Sequence, residues 1–250
     1  MDKAEKIFFE IHTNLPREGP GNFASTKKAY DAIRSKLNQP LILDIGCGPG
    51  KQTLDILEIS DGNIIAIDNH KPFVEILNSK IKAEGFDNRA SAQLGDMFNL
   101  QFKVNEFDLI WSEGAIYQIG FKKGLTEFKK YLKPLGFLAV TEATWLTQQR
   151  TKENIEFWRQ EYPEMRSVDE NIKIIEICGY TLIDYFTIDI SAWWDDYYEP
   201  MLTRLKMIKE KYGNDETATK VINAHEWEIE VFEKYSNEYG YVFYILQNKN

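Results

Sequence analysis

The chain reads as an α/β protein built on a mostly parallel sheet, and three observations lead there. Short apolar runs alternate with amphipathic stretches from about residue 40 to 143, the pattern of parallel strands joined by right-handed helical crossovers. The runs themselves are continuous in apolar character and lack in-out alternation, as in strands covered on both faces. A glycine cluster directly follows the first run, at the point where a strand would turn into a helix.

Leu41-Ile-Leu-Asp-Ile45 is the first buried strand, and Lys51 to Ile59 the helix after it. Asn63-Ile-Ile-Ala-Ile67 is the second strand. Pro72 then sits in the first turn of a helix, where its missing N–H costs nothing, with Phe73 or Val74, Leu77 and Ile81 on one stripe. Ala90 to Leu94 is a weaker third strand and Phe107-Asp-Leu-Ile-Trp111 a clear fourth. Phe121, Leu125, Phe128 and Leu132 recur at helical spacing, and Pro134-Leu-Gly136 is read as the stop before a fifth strand at Phe137 to Thr141. Beyond Trp145 the pattern loosens. Val168 to Cys178 predicts a helix closed by Gly179, leading into a strand at Tyr180 to Ile188. Two helical patterns, roughly 197–212 and 216–237, precede a closing strand at Tyr241 to Leu246. The second carries Trp227, Val231 and Tyr235 on one face, while Glu226, Glu228, Glu230 and Glu233 read as a solvated face. Residues 1–250 are expected to form one domain, with 1–39 as an N-terminal helical lid and 189–238 as a helical cap inserted before the last strand.

Composition narrows the functional classes. Of 250 residues, 43% are apolar and 28% charged, so a disordered or fibrous chain is excluded. No apolar run approaches the roughly 18 residues needed to cross a bilayer, and the opening Met1-Asp-Lys-Ala-Glu-Lys does not read as a secretory leader. Thirty basic against 39 acidic side chains give a net charge of −9, which disfavours nucleic acid or an anionic membrane as a partner. Cys47 and Cys178 cannot build a disulfide scaffold or a zinc site alone, and a reducing, cytoplasmic location follows as an expectation. No metal is expected: His12, His70 and His225 stand apart in the sequence without ligand spacing.

Gly46-Cys-Gly-Pro-Gly50 lets the backbone turn sharply and approach a ligand without Cβ collisions. A dinucleotide loop reads G-x-G-x-x-G; here the third glycine arrives one residue early, and Pro49 removes an amide donor. A ligand needing close backbone contact therefore fits better than a pyrophosphate. Three carboxylates stand at strand ends, where open α/β sheets bind ligands. Asp68 ends the second strand, placed to accept both hydroxyls of a ribose. Gly95-Asp96 ends the third, placed to take an exocyclic amine. Asp44 ends the first, within reach of the loop and of a ligand ammonium.

Leu41-Ile-Leu-Asp-Ile-Gly-Cys-Gly-Pro-Gly50, Ile67-Asp68, Leu94-Gly-Asp-Met97, Phe107-Asp-Leu-Ile110 and Leu132-Lys-Pro-Leu-Gly-Phe-Leu-Ala-Val140 together resemble the class I S-adenosylmethionine-dependent methyltransferases. Trp111-Ser-Glu-Gly-Ala-Ile-Tyr117 and Asn14-Leu-Pro-Arg-Glu-Gly-Pro-Gly21 are similar to a bacterial subgroup regarded as small-molecule methyltransferases. The resemblance implies a Rossmann-like, seven-stranded, mostly parallel sheet with helices on both faces, S-adenosyl-L-methionine as cofactor and S-adenosyl-L-homocysteine as product. It implies that Gly46, Cys47, Gly48 and Gly50 lie under the methionine and ribose, with Asp44 facing the ammonium and Asp68 the ribose. Asp96 would take the adenine amine and the Met97 amide the ring edge, beside Gly95, while Ser112 and Glu113 border the methionine end. Asn69 and His70 stand where many relatives place an apolar residue against adenine.

Methyl transfer from a sulfonium is an in-line displacement, so alignment is the protein's main task, and a base is needed only for an acceptor still protonated at the attacking atom. Glu113, Tyr117 and His12 are the candidates for such a role. Arg17, Tyr117, Glu142, Trp145, Trp193 and Trp194 are the candidate acceptor-binding residues, Arg17 because a guanidinium suits a planar carboxylate and the tryptophans because aromatic walls suit a positive sulfonium. The expected reaction is methyl transfer to a small organic molecule. A non-catalytic binder of the cofactor or its product, a protein methyltransferase and a nicotinamide-dependent oxidoreductase stay open. So does oligomeric state: the aromatic-rich insertion is either a lid or a homodimer surface.

Overall fold

The computed structural model describes residues 2–249. Helix α1 (Lys3–His12) starts in a capping box made by Asp2 and Glu5, and α2 (Phe23–Asp31) is capped by Asn22. Strand β1 (Leu41–Ile45) leads through the glycine loop into α3 (Lys51–Ile59); β2 (Asn63–Asp68) and α4 (Lys71–Ala83) follow, then β3 (Ala90–Leu94) and β4 (Phe107–Ser112). Helix α5 (Phe121–Lys129) precedes β5 (Leu132–Trp145), α6 (Lys152–Glu161), the two-residue β6 (Arg166–Ser167), α7 (Val168–Ile177) and β7 (Tyr180–Thr187). A single turn, α8 (Ser191–Trp193), runs into a π-helical segment at Trp194–Tyr198, then α9 (Glu199–Tyr212), α10 (Glu216–Tyr235) and β8 (Tyr239–Asn248).

The strands lie in the order β3-β2-β1-β4-β5-β8-β7, with β6 added to β5. All pairings are parallel except those of β8, which runs against both β5 and β7. The sheet is thus mostly parallel, as expected, with eight strands instead of seven because Arg166–Ser167 pairs with Thr144–Trp145. Alternate side chains of β1 enter different cores: Ile42 joins Leu54, Ile64 and Leu109 on one face, and Leu43 and Ile45 join Ile67, Ile110 and Phe121 on the other. Helices on both faces complete the layers.

The structure departs from the sequence expectations at four places. Helix α5 closes at Lys129, and Leu132 belongs to β5; its burial in the same core as Leu125 and Phe128 imitates helical spacing. Pro134 and Leu135 occupy a register shift between β4 and β5, Leu135 at φ 61°, so the proline lies in a bulge within β5 and does not stop a helix. Helix α6, capped by Thr151, lies in a stretch with no strong apolar stripe, only Asn154 and Phe157 being buried. Finally Glu228 turns inward from the acidic face of α10, on the stripe Val221, His225, Glu228 and Phe232.

The sheet positions the ligand edge. Between β1 and β4 the strand order reverses, and the crevice outside the carboxyl ends of those strands is where such sheets bind ligands. Gly46, Gly48 and Gly50 all adopt positive φ, and a Cβ on Gly50 would stand 2.1 Å from Leu77 of α4. Gly50→Ala is expected to cost about 2–4 kcal/mol, from left-handed strain plus overpacking; a shift in the urea midpoint at constant slope measures it. Glu142, buried in β5, accepts a 2.5 Å hydrogen bond from Tyr162 and has one oxygen without a partner. Burial raises its carboxyl from the ordinary 4.5 to about 8. The folded protein therefore binds a proton that the unfolded chain has released, and stability falls as pH rises through that interval. Glu142→Gln is expected to flatten that decline in a series of thermal melts, leaving stability below pH 4.5 nearly unchanged.

Candidate functional site

A cavity of about 280 Å³ lies over the glycine loop. Its floor is Ile45, Gly46, Cys47 and Gly48, its sides Ile67, Asp68, Asn69, Gly95, Met97 and Phe98, and its roof Phe8, Phe9, His12 and Glu18 from the N-terminal segment. The Gly46 and Cys47 amides both donate to the Ile67 carbonyl, at 2.9 and 3.0 Å, which ties the loop to the end of β2. A Cβ on Gly46 would stand 2.4 Å from Ala115 and one on Gly48 3.1 Å from Glu18, so the glycines keep this floor open. Asp68 accepts from the Gly48 amide at 2.9 Å and the His70 amide at 2.8 Å, one bond to each oxygen, leaving a lone pair on each for a ligand. Burial raises its carboxyl. His70, the departure noted in the sequence, stacks flat on Phe9 at 3.8 Å and edges Phe73, forming an aromatic wall.

Other expected cofactor residues stand behind the wall. Asp44 is fully buried and not on the cavity wall: Thr53 donates to Oδ2 at 2.6 Å, Oδ1 has no partner, and burial raises the carboxyl to about 7. Ser112 donates to the Ile45 carbonyl and steadies the end of β1. Gly50 packs on Leu77. Asp96 is exposed, accepts from the Phe98 amide and borders a neighbouring hollow.

The network around Arg17 differs most from expectation. Arg17 is 3% exposed and reaches no free substrate group; its guanidinium donates to Asp55 at 2.6 Å and Glu113 at 3.0 Å. Lys51 also pairs with Asp55. Glu113 further accepts from Thr26 and from the Trp111 indole, both at 2.8 Å. Three donors converge on that carboxylate, so it is held as an anchor for the loop after β4.

Sequence reasoning kept the histidines apart, and folding joins two of them. His12 Nε2 lies 3.2 Å from His225 Nε2, and His12 Nδ1 lies 2.6 Å from Glu18. His225 Nδ1 meets the Val221 carbonyl at 2.8 Å and must donate there. A neutral His225 then accepts at Nε2, His12 donates to it, and His12 Nδ1 with Glu18 shares one proton. Burial lowers both histidines to about 4 and, with Asp68 adding repulsion, raises Glu18 to about 9, so the shared proton rests on the carboxyl at neutral pH. Both ring nitrogens of His12 are engaged, which makes it a support for Glu18. Among the described residues no three His, Cys, Asp or Glu are grouped to hold a metal.

A second cavity, about 150 Å³, adjoins the first through Glu18, Gly19, Pro20, Gly114 and Tyr117, which line both. Its remaining walls include Phe157, Trp158, Tyr162, Trp193, Tyr197, Glu228 and Tyr241. Tyr117 lines both spaces and so stands between them. Trp193 lines the second cavity while stacking on Phe232 at 4.2 Å. Glu142 does not reach it but holds Tyr162, which does. Trp145 packs against Tyr239 under Arg150, and Trp194 edges Tyr198; neither lines either of these two cavities. Glu18, Phe9, Glu228 and Tyr241 were not singled out from sequence, whereas Tyr197 belongs to the aromatic-rich run 193–198 that was. Only Glu228 had a usable signal, its place on the inward stripe of α10.

Comparison with known proteins agrees with this fold. Residues 39–204 match the family model described as "Methyltransferase domain". The phosphoethanolamine N-methyltransferase of Plasmodium falciparum is 26% identical over 196 residues, covering 77% of this chain and 71% of that protein. The sterol 24-C-methyltransferase of Kluyveromyces lactis is 29% identical over 154 residues, 58% of this chain, which spans only 41% of that protein. Among solved structures, a SAM-dependent methyltransferase from Geobacter sulfurreducens in complex with S-adenosyl-L-homocysteine superposes with a TM-score of 0.81 at 18% identity, over 96% of this chain and 97% of that one. With the family model spanning well over half its length, the chain belongs to the methyltransferase-domain family.

Proposed function

We propose that the protein is an S-adenosyl-L-methionine-dependent methyltransferase acting on a small organic molecule. The observation that carries this reading is the pairing of two adjoining cavities, one floored by backbone glycines with a carboxylate on its rim, the other walled by aromatic rings. The residues present suit the cofactor. The glycine floor is a cradle that a Cβ would fill, and Asp68 keeps two lone pairs for ribose hydroxyls. Gly46, Cys47, Gly48 and Asp68 would hold the methionine and ribose parts. Asn69, Gly95, Met97 and the stacked His70 and Phe9 would enclose the adenine, while Asp44 and Ser112 would support the loop from behind. When bound, S-adenosylmethionine supplies an electrophilic methyl group on a sulfonium.

The chain's own contribution is alignment and exclusion of water. The segment Glu18-Gly-Pro20 and Tyr117 form the boundary where donor and acceptor would meet, and Arg17, clamped by Asp55 and Glu113, holds that segment in place. Residues 2–39 and the insertion 189–238 close over the crevice in this reading, as lid and cap of one domain. A cavity of 150 Å³ lies below the roughly 300–1,000 Å³ of pockets for drug-sized ligands, which favours a compact acceptor over a peptide or a sterol.

Asp68→Ala is expected to weaken S-adenosylhomocysteine binding by about 1.5–3 kcal/mol, the scale of hydrogen bonds to a charged group. Isothermal calorimetry reads this directly, and unchanged affinity would remove the ribose assignment.

A further inference from the structure

Resting on the methyltransferase reading, we infer that the acceptor is a small aliphatic amine, received by Glu228 inside a cage of Tyr117, Tyr162, Trp193, Tyr197 and Tyr241. The lining of the second cavity decides its chemistry. Three of its side chains are carboxylic, Glu18, Glu161 and Glu228, and none among the described lining residues is lysine or arginine. An acceptor carrying a phosphate or carboxylate would enter that space with no cation to meet it, at a steep desolvation cost. A cation or protonatable amine meets ring faces and a carboxylate, the combination that stabilises ammonium groups.

The polar atoms facing the cavity support a specific recipient. Glu228 accepts from the Tyr198 hydroxyl at 2.9 Å through one oxygen, and its other oxygen has no hydrogen-bond partner among the described residues. Tyr197 is 6% exposed, lines the cavity, and likewise has no partner for its hydroxyl among the described residues. Glu228 is half-buried and both residues line the cavity, so these two groups mark positions where a ligand's N–H groups and lone pair would bind. Glu18 shares its proton with His12, which leaves Glu228 as the inward carboxylate able to take one more. Its carboxyl, raised by burial to about 7, is matched to proton exchange near neutrality.

The step balances. An entering ammonium gives one proton to the Glu228 carboxylate, and the neutral nitrogen's lone pair forms the N–C bond to the methyl group as the C–S bond breaks. The bonding pair stays on sulfur, which becomes a neutral thioether, and the product leaves as an N-methylated ammonium while Glu228 returns its proton to solvent.

The test uses the full chain saturated with S-adenosylhomocysteine, whose own binding is measured first; absence of that binding would defeat the methyltransferase reading and not this one. Calorimetric titrations then compare propyl-, butyl- and pentylamine with the matching alcohols and carboxylates. The amines alone are expected to bind. Glu228→Gln is expected to weaken amine binding roughly tenfold or more and Tyr197→Phe severalfold, each with S-adenosylhomocysteine affinity unchanged and a melting temperature close to the parent. With labelled S-adenosylmethionine, the amines are expected to acquire the methyl group. Binding of the alcohols or carboxylates as tightly as the amines, failure of every amine to bind, or an unaltered amine affinity in Glu228→Gln would each overturn the inference.

Discussion

Arg17 is an uncompromising residue to bury. A guanidinium cannot shed its charge in a protein, so at 3% exposure it demands partners, and removal of one partner from such a pair is far more damaging than the pair is stabilising. Here it joins four parts of the chain that are distant in sequence: the N-terminal segment, α3 through Asp55, the loop after β4 through Glu113 and, at 4.0 Å, the π-helical segment through Asp196. Residues 18–20, the wall common to both cavities, follow directly. The position of that wall is therefore set by electrostatics, and the two spaces meet where they do because this one charge has nowhere else to go.

That arrangement also explains why acidic residues near the site behave so differently. Glu113 is held by Arg17, Thr26 and Trp111, while Asp44, Glu142 and Glu228 have no cation in hydrogen-bond contact, and desolvation shifts them upward. A carboxylate beside a cation is scaffold, and one desolvated among rings is available for proton exchange. Residue type alone does not separate these roles; the neighbours do.

The sheet was legible from sequence because strands buried on both faces are plain apolar runs, and because the glycine loop needs a conformation that few other residues adopt. The floor of the first cavity, at Gly46, Cys47, Gly48 and Asp68, stood where the spacing placed it. Less legible were residues whose roles come from distant parts of the chain. Glu18 acquires its environment from His12 and, through it, from His225, more than two hundred residues on. Glu142 and Trp145, expected beyond a fifth strand ending at Thr141, lie inside β5, and Trp194 edges Tyr198; each is drawn into packing, and no local pattern distinguishes that outcome. The even spacing of glutamates on α10 concealed Glu228, since an acidic face looks the same whether or not one member turns inward.

The polarity of the Val221–His225–His12–Glu18 chain has a consequence for how the divider between the two spaces looks to a charged visitor. The backbone carbonyl at one end orients every donor along the line, so the last pair holds a single proton whichever atom it occupies. Hopping of that proton redistributes a dipole but leaves the sum at zero. The partition thus carries no net charge although it contains a carboxyl, and a positively charged molecule on either side meets a dipole there and not a fixed anion.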